Sequence, residues 1–159
     1  VASLAQRYAD SMATIAVAAR CATHPATGAE FGDLGDVDME IGMGQHGEGG
    51  GGRQPMKTAK ETIEIMANAL VKDIPLAAGD KAFVMINGSG ATTLMEMFIL
   101  YKDCVHYLES LGIEVVANMV GEILTVQEQA GFQLNIAKWD EEFLRLWNTP
   151  AHTPAFFKE

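Results

Sequence analysis

A nearly continuous apolar run at residues 81–88, KAFVMING, limits the folds open to this chain. A strand that is apolar along its whole length is typical of a sheet covered on both faces. The turn GSGATT follows it, then a helical pattern that ends at Gly112 and a second buried strand, IEVVANMVG. The apolar side of that helix is formed by Leu94, Phe98, Tyr101, Val105 and Leu108. Strands that alternate with helices predict an α/β layered sandwich, with a mixed β-sheet and packed helices.

The first third of the chain is expected to supply another helix and two strands. Residues 1–20 predict an amphipathic helix, because apolar residues recur at intervals of four and three. These residues are Leu4, Tyr8, Met12, Ile15 and Ala19. A short strand should end at Pro25, before a turn at Gly28. Residues 36–43 alternate between polar and apolar types, which predicts a half-buried strand that leads directly into His46.

Two more helices and a further strand complete the expected order. Pro55 suits the first turn of a helix, whose buried stripe would be Ala59, Ile63, Met66, Ala67, Leu70 and Ile74. The alternation of Phe132, Leu134 and Ile136 predicts a strand. The stretch DEEFLRLWN then predicts a short last helix, followed by an extended tail that Trp147 and Phe156 would anchor.

Composition narrows the class of protein. The length of 159 residues fits one domain, residues 1–159. A net charge of −10 without clustered Lys or Arg argues against nucleic acid as a partner. The sequence contains no apolar run long enough to suggest a membrane span. Cys21 and Cys104 have no metal-site spacing, so we expect buried thiols in a reducing cytoplasm.

The most unusual stretch is residues 39–55, MEIGMGQHGEGGGGRQP, in which one histidine lies among seven glycines. Glycine is costly to order, so such a cluster suits either a floppy surface segment or a backbone that approaches a ligand closely. Gly44 and Gly47 would let a small molecule reach His46. The strict alternation that precedes the segment favours an ordered, substrate-binding His46 over a disordered one.

Two further hypotheses are weaker. Glu48 could orient the His46 ring, but a zinc site needs three or four ligands and no supporting His or Cys is spaced to help, so no metal is expected. Residues 87–97, NGSGATTLMEM, could bind an anion at a helix N-terminus. They lack the lysine and spacing of a P-loop. A simple helix cap, with Thr92 or Ser89 accepting backbone N–H groups, is the favoured interpretation.

Three segments together resemble one family. MEIGMGQHGEGG, INGSGATTLMEMFILY and GFQLNIAKWDEEFLRLWNTPAHTPA are similar to the second half of the substrate-binding (K) domain of dihydroxyacetone kinases. The resemblance implies an α/β layered fold. It also implies that His46 adds to the ketone carbon of dihydroxyacetone, or of a related short ketose, and holds it as a covalent hemiaminal. His46 would thus be the catalytic residue of this half.

The resemblance also implies partners. The family's K domain is about twice this length, and its first half carries acid/base residues that have no counterpart here. Because that first half is missing, the chain is expected to be either a fragment, which the absence of an initial Met permits, or one subunit of a split enzyme. The family pattern G-E-P-G-I/V-R-R is altered here to a glycine run that ends at Arg53.

No nucleotide site is evident in the sequence, so no cofactor is expected on this chain. The resemblance places ADP or ATP with Mg²⁺ on a nucleotide-binding (L) subunit or domain, and it implies a homo-oligomer. Relatives that keep the histidine while serving regulation leave a second interpretation open, a non-enzymatic ketose-binding coactivator or sensor. A third is an assembly module in which His46 is idle.

Overall fold

The computed structural model describes residues 1–44, 50 and 52–159. Its helices are α1 (Ala2–Asp10), α2 (Ala59–Asp73), α3 (Leu94–Ser110) and α4 (Glu141–Trp147). Its strands are β1 (Met12–Arg20), β2 (Asp38–Ile41), β3 (Gly52–Pro55), β4 (Lys81–Gly88), β5 (Glu114–Gly121), β6 (Ala130–Trp139), β7 (Ala151–His152) and β8 (Phe157–Lys158).

Six strands form one mixed sheet in the order β3-β2-β1-β6-β4-β5. Only β4 and β5 run parallel, and every other neighbouring pair is antiparallel. Strand β6 lies at the centre, pairing with β1 on one side and β4 on the other. The predicted fold class, an α/β sandwich with a mixed sheet, is confirmed.

Helices α2 and α3 cover one face of the sheet and enclose the main core. The α2 stripe is as predicted, with Ile63, Met66, Ala67 and Leu70 all buried. Strand β6 presents Phe132, Leu134 and Ile136 to this core, again as predicted. Both helices begin with a capping box, in which a threonine and a glutamate three residues later bond each other's backbone N–H groups.

The opposite face is covered at one end by α1, α4 and the tail. Trp139 stacks on Phe83 with ring centroids 4.7 Å apart, and Trp147 lies 5.8 Å from Trp139. Phe156 reaches Trp147 at 5.7 Å, so the predicted anchoring of the tail is confirmed. Within the described ranges, none of the helices combines the length and apolar character needed to cross a bilayer.

The prediction of one helix over residues 1–20 is wrong. Helix α1 ends at Asp10, and Met12–Arg20 is a strand that pairs with both β2 and β6. Ala13 and Val17 satisfy a period of two as well as one of four, and they face the core with the partly buried Ile15. Hydrogen bonds to two neighbouring strands outweigh the helix propensity of an alanine-rich stretch.

Other boundaries also differ. Pro55 ends β3 opposite Asp38 rather than opening α2, whose N-cap is Thr58. A proline without an N–H is tolerated there because β3 is an edge strand. The expected strand before Pro25 is reduced to one bridge, between Thr23 and Glu30. The turn at Gly28 is confirmed, with the Gly28 N–H donating to the His24 carbonyl at 2.8 Å.

Helix α3 is rotated from the predicted stripe. Its buried residues are Met97, Leu100, Cys104 and Leu108, whereas Leu94 and Phe98 are 53% and 52% exposed. The segment LMEMFILY is apolar on almost every side, so periodicity alone could not select the core face. Strand β5 is also less buried than expected, because it is an edge of the sheet.

Candidate functional site

The residues expected to hold substrate fall mostly outside the described part of the chain. His46, Gly47 and Glu48, the residue expected to orient the ring, lie there, and their roles stay predictions. Gly44 is described and is half-buried. The structure does describe both ends of the glycine segment, and it shows how each is attached to the sheet.

The segment begins at a sharp turn after β2. Gly42 has a φ of +89°, a left-handed conformation that side chains disfavour, and its N–H donates to the Ala16 carbonyl at 2.6 Å. Met43 is then buried against Ala18, Cys21 and Leu34. The predicted alternation is therefore confirmed at Met39, Ile41 and Met43, although the strand itself ends at Ile41 and Val37 is 72% exposed.

The returning end of the segment lies directly against the outgoing end. A Cβ placed on Gly50 would fall 2.2 Å from the Gly42 carbonyl carbon, so no side chain fits there. The Gly50 N–H donates to the Glu40 carboxylate at 2.7 Å. Some of the glycines thus serve a close backbone contact, quite apart from any ligand.

Arg53 anchors β3, the strand that follows the glycine segment. Its guanidinium contacts the Asp38 carboxylate at 3.0 Å and donates to the backbone carbonyls of Asp33 and Leu34. Gln129, a buried amide after β5, donates to the Met43 sulfur at 3.7 Å from the other side. Sequence reasoning identified neither Glu40 nor Gln129. Glu40 acts through Gly50 across a turn, and Gln129 acts through Met43, which is far away in the sequence.

The β4–α3 turn is a helix cap, as the favoured interpretation has it, but the capping residue differs. The Thr93 hydroxyl accepts from the Glu96 N–H, and the Glu96 carboxylate accepts from the Thr93 N–H at 2.8 Å. The Thr93 hydroxyl also donates to the Glu96 carboxylate at 2.7 Å, and this bond, together with that from the Thr93 N–H, holds the pKa of Glu96 below its usual value. Thr92 instead bonds Gly131 of β6. A carboxylate therefore already occupies the helix N-terminus that an anion would need.

A cavity of about 290 Å³ opens between the N-terminal ends of α2 and α3. Its lining is mainly apolar, with Met39, Met56 and Ile99 among the contributors and Thr62 as a polar one. Beside it lies an exposed apolar surface on the first two turns of α3. We call this the α3 surface, and its members are Leu94, Met95, Phe98 and Ile99, which are 43–72% exposed.

Both cysteines are free and buried, as predicted. Burial raises the pKa of the Cys104 thiol to about 12 and also raises that of Cys21. Neither is a candidate nucleophile, since a reactive cysteine needs a lowered pKa. Within residues 1–44, 50 and 52–159, no three His, Cys, Asp or Glu side chains come together to hold a metal ion.

The chain is similar to known proteins over most of its length. Residues 1–155 match the model of the Dak1 domain. The chain is 33% identical over 155 residues to the dihydroxyacetone-binding subunit DhaK of a PTS-dependent dihydroxyacetone kinase from Listeria innocua, covering 97% of this chain and 47% of that protein. It is 37% identical over 124 residues to an L-erythrulose kinase from Pectobacterium atrosepticum, covering 76% of this chain and 21% of that protein.

A solved structure is similar over nearly the whole chain. It is a dihydroxyacetone kinase operon co-activator, DhaQ, with a TM-score of 0.86 and 25% identity, covering 94% of this chain and 46% of that one. The chain spans less than half the length of these relatives. With the Dak1 match running from residue 1 to residue 155, the chain belongs to the Dak1 domain family.

Proposed function

We propose that this chain is the ketose-binding half of a dihydroxyacetone-type kinase, in which His46 captures dihydroxyacetone or a related short ketose as a covalent hemiaminal. The observation that carries the proposal is the Dak1 match over residues 1–155, together with the dihydroxyacetone-binding subunits among the relatives. The glycine segment supports it, because both of its ends are attached to the sheet by named contacts.

The capture step needs a neutral imidazole. The lone pair on one ring nitrogen of His46 attacks the ketone carbon, and the C=O π electrons move to the oxygen. The other ring nitrogen then loses its proton, and the alkoxide gains one, so the adduct is histidine plus ketose with nothing lost. A protonated ring has no free lone pair. Glycerol has no carbonyl and is rejected.

Phosphoryl transfer is assigned to a partner. The sequence has no P-loop, and the resemblance to dihydroxyacetone kinases implies a donor bound by another subunit or domain. We propose that ADP or ATP with Mg²⁺ belongs to an L-type subunit or domain. His46 and Gly47 would hold the acceptor hydroxyl in place for transfer, with Glu48 orienting the ring. Positioning is a large part of such catalysis.

A complementary half is the second proposed partner. The chain spans 47% of the Listeria subunit, so the relative carries about as much polypeptide again. The α3 surface is a suitable contact for such a half. In the segment LMEMFILY the only charged residue is Glu96, whose carboxylate is used in the cap. Apolar surfaces depleted of charge are typical of interfaces. The proposal also includes assembly of the chain into a homo-oligomer. It includes a cytoplasmic location as well, with which the two free thiols are consistent.

The alternative is a ketose-binding coactivator or sensor without kinase activity. The structural similarity to a co-activator favours it, since 94% of the chain is covered at a TM-score of 0.86. Both functions use the same capture step on His46, so they separate only when phosphoryl transfer is measured.

The test uses [2-¹³C]dihydroxyacetone and, in parallel, labelled erythrulose. Capture moves the labelled carbon from the ketone region of the ¹³C spectrum to the sp³ region, and native mass spectrometry shows the added ketose. We expect H46A to abolish the signal and H106A, at an exposed helix position, to preserve it. If the wild-type chain gives no adduct, alone or with the complementary half, only the assembly role is left.

Kinase assays then separate the two capture functions. With the complementary half, an L-type subunit and ATP and Mg²⁺ or a phosphoryl-donor system present, an enzyme releases phosphorylated ketose, and H46A stops turnover. Capture without turnover under every donor condition identifies the coactivator. Capture should also fall as the pH is lowered and the ring becomes protonated, because a protonated ring is not a nucleophile.

A further inference from the structure

We infer that Glu40 is a positioning residue for His46, acting by closing a narrow neck between the two ends of the glycine segment. The neck consists of Glu40, Gly42 and Gly50. The link to His46 rests on the proposed function, whereas the neck itself is a feature of the described residues.

The neck is formed by backbone lying on backbone. A Cβ on Gly50 would sit 2.4 Å from the Gly42 oxygen and 2.6 Å from its Cα, and a Cβ on Gly52 would sit 2.3 Å from the Ile41 oxygen. Contacts this short belong to rigid main chain, which cannot move aside as a flexible side-chain end can. The chain therefore passes Gly42 and returns to the same point at Gly50.

A carboxylate holds the neck shut. The Gly50 N–H donates to Glu40 Oε1 at 2.7 Å, a bond strengthened by the negative charge of the acceptor. Arg53 is directly opposite Glu40 in the β2–β3 ladder, but its guanidinium is drawn towards Asp38 and the carbonyls of Asp33 and Leu34. The Glu40 carboxylate is bonded to the returning end of the neck through the Gly50 N–H.

The outgoing end is fixed independently of Glu40. Gly42 donates to Ala16 of β1, and Met43 is buried among Ala18, Cys21 and Leu34. Only the returning end depends on the carboxylate. Loss of the Glu40 contact would release the chain at Gly50, four residues after His46 in the sequence. A misplacement of about 1 Å from a remote substitution can cost about 10²-fold in reactivity.

The experiment compares E40A, E40Q and G50A with matched controls. A Cβ placed on Gly121 would meet no heavy atom within 4 Å, so G121A is the glycine-to-alanine control. The exposed Glu109 on α3 supplies E109A. We expect E40A and G50A each to weaken capture of [2-¹³C]dihydroxyacetone by about 10²-fold. E40Q keeps an acceptor oxygen and should recover part of that loss, while both controls match the wild type.

Additivity is the sharper criterion. If Glu40 and Gly50 act through one contact, the E40A/G50A double variant is no worse than either single variant. Fully additive losses would overturn the inference. The melting temperature of each variant is measured alongside. If G50A does not fold, the comparison of E40A with E40Q decides the outcome. Unchanged capture in E40A would then overturn the inference.

A readout without ketose keeps the two proposals apart. The ring nitrogens of His46 are titrated by ¹⁵N NMR in the wild type, E40A and G50A. Identical titrations and identical capture overturn the positioning role and leave the proposed function standing. If the wild type captures no ketose, the proposed function fails, and the ring titration alone decides the neck: a changed midpoint in both variants supports it, and an unchanged one overturns it.

Discussion

At the scale of single residues, an ion pair at the end of two central strands makes the stability of the fold depend on pH. Asp80 accepts from the Lys138 ammonium at 2.7 Å and from the Ala77 N–H at 2.9 Å. These bonds, with Lys138 the larger cause, hold the pKa of Asp80 below its usual value. A carboxyl whose folded pKa is lowered stabilises the fold above its unfolded pKa of about 3.9, and that stability is lost as the pH falls through the folded value.

Substituting this carboxyl should therefore matter at neutral pH and not in strong acid. We expect D80N to lower the free energy of unfolding at pH 7 by up to about 1 kcal/mol, a small value because solvent screens the pair. The difference from the wild type should narrow as the pH falls below about 3.9, the ordinary pKa of an aspartate, and close in stronger acid. Urea unfolding at a series of pH values measures it, with D36N at an exposed aspartate as the control. A D80N deficit that stays constant into strong acid would contradict the assignment.

The burial or role of a residue could be predicted from the sequence where it depends on neighbouring residues. It could not be predicted where it depends on a contact with a residue elsewhere in the chain. The alternation that led to Met39, Ile41 and Met43 as buried residues is confirmed. The need for glycine at position 50 was not visible, because it arises from contact with Gly42 across a turn. His46, Gly47 and Glu48 stay predictions of chemistry, carried by the family resemblance.

At the scale of elements, α3 depends on its cap as well as on its core face. The Thr93 hydroxyl and the Glu96 carboxylate satisfy N–H groups that the first turn would otherwise leave unbonded. We expect T93A to lower the free energy of unfolding by about 1 kcal/mol. Thermal and urea unfolding measure it, with T125A at an exposed threonine as the control. A T93A variant as stable as T125A would show that the box contributes little.

Strand β6 should be the most sensitive element to loss of side-chain volume. Leu134 is fully buried at the centre of the sheet, between Ile15 of β1 and Ile86 of β4. We expect L134A to cost about 2–5 kcal/mol, because the cavity it leaves cannot collapse between two paired strands. L124A removes the same atoms from a side chain that is 58% exposed and should cost far less. Equal costs would contradict this account of the core.

Long elements with one clear period were predictable, and ambiguous ones were not. Helix α2 and strands β4 and β6 were foreseen because a single pattern ran through each. The residues of β1 satisfied two periods at once, and their strand partners, Ile41 and Leu134 among them, lie far along the chain. The face of α3 was missed because its first two turns carry apolar residues on both sides. Those extra apolar residues are the α3 surface.

At the scale of the whole molecule, the α3 surface and the acidic composition act in opposite directions. A net charge of −10 keeps copies of the chain apart, whereas an apolar surface favours association with a partner. Substitutions there should affect assembly without affecting the fold, since these side chains are 43–72% exposed.

We expect M95K and F98K each to weaken binding of the complementary half at least tenfold while leaving the melting temperature within about 2 °C, as for ordinary surface substitutions. Isothermal titration calorimetry with the separately purified halves measures binding. Ile65 is 38% exposed on α2, so I65K is the matched control. If I65K weakens binding as much as F98K, the contact is not confined to the α3 surface.

The pairing of β1 with β6 joins Met12 to Ala137, which are far apart in the sequence. During synthesis, which proceeds from the N-terminus, β1 and β4 must therefore each wait with an open hydrogen-bonding edge until β6 has left the ribosome. Exposed strand edges invite pairing with other chains, and distant contacts form slowly. The soluble yield of this polypeptide in cells should consequently be limited by pairing of the nascent chain with other chains. Slower translation, or a supply of chaperones, should raise that yield.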